Sequence, residues 1–143
     1  MDIMTAIGIA LKVAIPDIKR IYREKTEQGF VGHSFYVYPI IERAAAEIGN
    51  YEMRRLSYCV VYFPDESKHK RNINQQLDEM RARLLDNVTH LPEVNLRLLD
   101  REAEPVDGAL NFTFSVRYRG LYEQERIPMT SLAQKGGVAE NGN

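Results

Sequence analysis

The residues best suited to chemistry in this chain are three histidines, one cysteine and a short run of carboxylates beside a lysine. His33, His69 and His90 stand far apart, and none lies three or four residues from another ligand type. A zinc site needs three or four converging N, S or O donors, so this spacing implies no metal centre. The histidines read instead as ordinary surface or rim residues. Cys59 lies between Tyr58 and Val60 in an apolar stretch. A nucleophilic thiol needs a cation or a helix start to lower its pKa, whereas a small buried apolar residue needs neither. The buried reading is therefore preferred. Neither a Gly-rich phosphate loop nor a Gly-x-Ser-x-Gly elbow is present, and no cofactor is implied.

The run Pro64-Asp65-Glu66-Ser67-Lys68 resembles a compressed form of the acidic-and-lysine signature of restriction-like nucleases. In that chemistry two carboxylates hold magnesium while the lysine assists the attacking water. The carboxylates come from adjacent strands there, and here they are consecutive. Asp65 or Ser67 is expected instead to cap the helix that follows. A metal-dependent nuclease using Asp65 and Glu66 stays as the enzyme alternative. The basic run Lys68-His69-Lys70-Arg71 reads as a solvated helix start, with phosphate contact as its alternative.

The elements that would position such groups are better marked than the groups themselves. From residue 110 to 119, Leu110, Phe112, Phe114, Val116 and Tyr118 alternate with Asn111, Thr113, Ser115, Arg117 and Arg119. Successive side chains of a strand point to opposite faces, so this is one long strand with an apolar and a polar side. Asp107-Gly108 supplies the turn that starts it. A second long strand is predicted over residues 51–63, with Leu56, Tyr58, Val60 and Tyr62 on one face, after a turn at Gly49-Asn50. Residues 34–41 alternate aromatic and aliphatic side chains, with Pro39 marking an edge or a bulge. Residues 18–22 read as a short strand. Leu96 and Leu98 begin a strand that turns at residues 105–108.

Two helices complete the pattern. Ile3, Ile7, Leu11 and Ala14 recur at helical spacing before Pro16, with Asp2 as cap. Ile73, Leu77, Met80, Leu84 and Val88 do the same over four turns. The fold class is α+β: an antiparallel or mixed sheet of four to five strands with two helices packed on one face. A chain of 143 residues is one ordinary domain, here residues 1–122, with residues 123–143 a tail expected to order only on assembly. The net charge of −1 gives no global pull toward DNA or an anionic membrane. Without a basic leader or an uninterrupted apolar span, a soluble cytoplasmic product with no membrane partner is expected.

The succession Glu27-Gln28-Gly29-Phe30, Ser34-Phe35-Tyr36-Val37, Arg54-Arg55-Leu56-Ser57-Tyr58 and Tyr62-Phe63-Pro64 resembles a small phage family. Val106 to Phe112, Val116-Arg117-Tyr118 and Met129-Thr130-Ser131-Leu132 continue it in order. The family is the tail terminator proteins of tailed phages and prophage-like elements of Gram-positive bacteria, and the resemblance spans residues 18–137. It implies a structural virion protein, not an enzyme, made in the host cytoplasm and placed at the tail and neck. Its partners would be itself in a sixfold ring, the tail tube protein, a sheath protein if the tail is contractile, and a head-side neck or connector protein. Genomic DNA would pass through the channel without sequence-specific binding. A different neck protein, such as a head-closure or adaptor subunit, is the structural alternative. On this reading Arg54, Arg55, Ser115, Arg117 and Arg119 are candidates to face a partner or the channel. Gln28 and Phe30 in the polar linker, with Met129 and Leu132 in the tail, are candidate assembly residues.

Overall fold

Asp2 opens the first element as expected: its Oδ1 accepts the Thr5 N–H at 2.7 Å, and helix α1 runs Ile3–Ala14. A computed structural model of the chain describes residues 1–66 and 72–121, the Leu121 side chain excepted. The basic run with Ser67 and His69, and the tail with Met129 and Leu132, lie outside the described residues. α1 buries Ala6, Ile7 and Leu11 and ends where Pro16 cannot continue it. Lys12 closes the end by donating to the Pro16 and Ile18 carbonyls at 3.3 Å.

Strand β1, Arg20–Tyr22, is shorter than the spacing predicts, because the Ile18 N–H is spent on a turn to the Ile15 carbonyl. β2 spans Ser34–Ala46 and β3 spans Tyr51–Phe63. β2 outruns its expected end at Ile41 although Ala44, Ala45 and Ala46 are weak strand formers. The hairpin imposes the extension, closed by the Glu47 N–H on the Tyr51 carbonyl at 2.9 Å. Helix α2 follows at Ile73–Asn87, burying Leu77, Met80 and Leu84. Its cap position is Asn72, in the left-handed region and without a side-chain capping bond. Asp65 does not cap α2: the Gln76 side chain bonds both its backbone N–H, at 2.8 Å, and its carbonyl, at 3.0 Å.

The strand expected to begin at Leu96 is split, because the Leu98 N–H is spent on the Thr89 carbonyl. Its first part, β5 (Leu96–Arg97), pairs with β4 (His90–Leu91) in a separate two-stranded sheet, and β4, two residues long, gives no period to read. β6 (Leu99–Val106) and β7 (Ala109–Leu121) are antiparallel, with Val106 opposite Ala109. The two residues between them, Asp107 at φ 50 and Gly108 at φ 79, make the tight turn that their chemistry favours. The main sheet has the order β1-β2-β3-β7-β6 and is mixed, with β1 parallel to β2.

The chain divides into two units, Met1–Arg43 with Arg55–Arg117, and Ala44–Arg54 with Tyr118–Asn143. The first holds both helices and the core. There Leu11 and Leu84 from the helices meet Phe35, Val37, Tyr58, Val60, Tyr62, Leu110, Phe112, Phe114 and Val116 in one buried cluster. Both helices thus lie on the same sheet face, as the α+β pattern requires. Arg101 bonds the Leu85 carbonyl at 2.6 Å, tying β6 to the end of α2, where carbonyls lack helical partners. No helix of the described residues is long and apolar enough to cross a membrane.

Candidate assembly surface

Strand alternation puts Arg55, Ser57, Cys59 and Phe63 of β3 on the sheet face opposite the helices, with Tyr36 and Tyr38 of β2 and Thr113, Ser115 and Arg117 of β7. The polar linker does not stand away from this face. Its Phe30 stacks on Phe63 at 4.5 Å and 9°, stacks on Tyr36 at 5.1 Å, and meets Tyr22 edge-on at 4.9 Å. The linker returns to the sheet at Gly32, where a Cβ would lie 2.9 Å from the Asp65 Cα, so only glycine fits. Gln28 remains exposed at the linker tip. Tyr38 and Cys59 form a hydrogen-bonded pair that, with burial, pushes the phenol up to about 12. Burial also raises the Cys59 thiol, the opposite of what a nucleophile needs.

His33 serves structure at the rim of this unit. Its Nε2 lies 2.8 Å from the Asp17 carboxylate and its Nδ1 2.8 Å from the Tyr62 hydroxyl. A carboxylate only accepts, so Nε2 carries a proton, and in the neutral ring Nδ1 takes the Tyr62 hydroxyl. Arg83 of α2 donates to the other Asp17 oxygen at 2.8 Å. That guanidinium, and then His33, hold the Asp17 carboxyl well below the usual carboxylate range. Burial pushes Tyr62 up to about 12. The four side chains join the loop after α1, the start of β2, β3 and α2.

The cationic candidates divide between the units. In the first, Arg55 pairs with Asp100, which occupies the irregularity in β6 between Leu99 and Glu102. Ser115 is 6% exposed and shares a hydrogen bond of 2.8 Å with Ser57. Arg117 is exposed. In the second, Arg54 Nε donates to Glu52 at 2.9 Å. Arg119 Nε lies 2.8 Å from the Glu47 carboxylate, and its guanidinium covers the Tyr51 ring at 5.5 Å. Arg119 therefore braces the β2–β3 turn. At that turn Ile48 is 95% exposed, between Glu47 and Gly49. An isoleucine inside a polar turn was the available sequence signal for this feature.

The sheet edges also differ. β6, one outer strand, carries Glu102, Glu104 and Pro105 and an irregular register, the devices that block unwanted strand addition. On the other side β1 covers only Ser34, Phe35 and Tyr36 of β2. Beyond Tyr36 no described strand lies against the outer side of β2, and Ile40 and Ile41 there are large, exposed and apolar. Pro39 falls in this uncovered stretch, where a missing N–H is tolerated. Among the described residues no group of three or more His, Cys, Asp or Glu is placed to hold a metal ion, and Asp65 instead faces Lys19 at 3.9 Å.

The family model described as phage tail terminator protein matches residues 2–128. The chain belongs to the phage tail terminator family. No curated protein matches it. Membership bears out the resemblance to tail terminator proteins, the match covering the motifs from Glu27 to Tyr118, and it makes this a structural phage tail protein that associates with other tail proteins. An unguarded strand edge and an exposed apolar turn suit such a protein better than they would suit an isolated monomer.

Proposed function

We propose that this terminator closes the end of a finished tail tube as a sixfold ring, stops polymerisation of the tube and of any sheath, and offers the head-side neck proteins a joining surface. The family match over residues 2–128 carries the reading. The two unlike sheet edges support it: a rotational ring uses a heterologous contact, one surface of a subunit against a different surface of the next. The exposed β2–β3 turn with Ile48, and the uncovered stretch with Ile40 and Ile41, are the surfaces we assign to contact with a neighbour or the tube. Arg55 and Arg117, and separately Arg54 and Arg119, are the side chains we assign to a partner or to the DNA channel, where they would act on backbone charge without reading sequence. Ser115, tied to Ser57, would contribute only after that bond is exchanged.

Labelling the purified protein and imaging it on isolated tails tests the assignment. Density confined to the head-proximal end of the tube is expected. Binding to the portal side of the head instead would make the chain a head-closure or adaptor protein.

A further inference from the structure

In the first unit a groove of about 300 Å3 runs between α1 and β1, with Met4, Ile9, Ile21 and Val37 lining it and Lys12 and Arg23 at its rim. Gly8, in the middle of α1, lines it too. Glycine inside a helix costs about 1 kcal/mol relative to alanine. The fold gives no return for it: Gly8 does not have a positive φ, and a Cβ built there meets no atom within 4 Å. A side chain there would project into open space, so the glycine leaves room in the groove. Beside it β1 is the outermost strand of the sheet, with no described strand on its outer side. An open ladder next to an apolar trough is the geometry that accepts an extended segment by strand addition.

The chain itself supplies a fitting segment. The described part ends at Leu121, and residues 122–143 follow. Ile127 and Met129 flank Pro128 there. In an extended segment Ile127 and Met129 share one face, and their backbone groups bond to one side. Pro128 then turns its missing N–H to the other side, where no ladder bond is required. Glu123 and Glu125 precede them, followed by Arg126, and complement Lys12 and Arg23, although Arg23 also faces Asp2 at 3.8 Å and Lys12 also bonds the Pro16 and Ile18 carbonyls. A heterologous ring needs a segment of one subunit to meet a different surface of the next. The geometry points to this groove as the receptor for the C-terminal segment of a second copy, with Ile127 and Met129 seated over Gly8. The inference rests on the ring reading and gives it a subunit-to-subunit link.

Gly8→Leu in the full-length chain fills the trough. Its melting temperature is expected to hold or rise as the glycine is removed from the helix, while the oligomer formed by the unaltered chain with tail tubes is lost in sedimentation. Oligomers that persist in this variant overturn the docking. A second full-length variant carrying Gly8→Cys and Met129→Cys should give, on oxidation, a ladder of disulfide-linked copies on a non-reducing gel. A disulfide closing within one copy, or none in assembled protein, overturns the docking and leaves the ring standing. An unaltered chain that stays monomeric even with tubes present overturns the ring reading and the docking together.

Discussion

Asp17 and Phe30 show what single residues do for this fold. Because the folded carboxyl of Asp17 titrates below its unfolded value of about 3.9, the stability it brings is fully present above about pH 4 and is lost as the pH falls below that. Asp17 is 56% exposed, so solvent screening limits the contribution to about 1 kcal/mol. Asp17→Asn should lower the melting temperature at pH 7 by a few degrees, and the gap to the unaltered chain should narrow progressively as the pH falls below about 4. Thermal melts across pH check this; a gap independent of pH would mean that packing and not the carboxylate charge matters. Phe30 is half-buried against three rings, a geometry worth about 0.5–1.5 kcal/mol per pair beyond the area covered. Phe30→Ala should cost about 2 kcal/mol and speed hydrogen exchange of the linker amides well before that of β3. His33 and Phe30 were also the hardest residues to place from sequence. A histidine before a strand gives no sign that its two ring nitrogens will bridge a helix loop and a tyrosine far along the chain. One aromatic in a polar linker gives none that three other rings await it.

At the scale of elements, periodicity performed best where an element is long and one-sided. The limits of β3, both helical stripes and the Asp107-Gly108 turn follow from side-chain spacing alone, because burial of one face selects those residues. It failed for β4, too short for any period, for the break at Leu98 that separates β5 from β6, and for the end of β2, where pairing with β3 overrides the weak propensity of three alanines. Alternation placed Ser115 on the correct side of β7, but burial of that side depends on neighbouring strands, which no local pattern encodes. Gly108 at φ 79 is a local requirement, so Gly108→Ala should cost about 1 kcal/mol in denaturant melts with the m-value unchanged. The β2–β3 turn should behave in the opposite way. Ile48 at 95% exposure contributes little to the folded monomer, so Ile48→Asp should change stability by no more than about 0.5 kcal/mol. The same variant should fail to cap tails in a complementation assay. Full complementation would remove this turn from the assembly surface.

The whole molecule is a member of a structural phage tail family. Its two sheet edges are treated differently, one guarded by charge, proline and irregular register, the other with no described strand beside Ile40 and Ile41. The proposed ring, in which each subunit would give one surface and receive on another, calls for such an asymmetry. The family was legible in motif order, while the surface proposed for assembly was not, because exposure of an apolar turn is a property of the folded chain. The central claim is that this protein sets where the tube stops. The most direct measurement is tail length, by electron microscopy, in particles made after deletion of this gene. Overlong tails without heads are the predicted result. Tails of normal length, whether joined to heads or not, would contradict it.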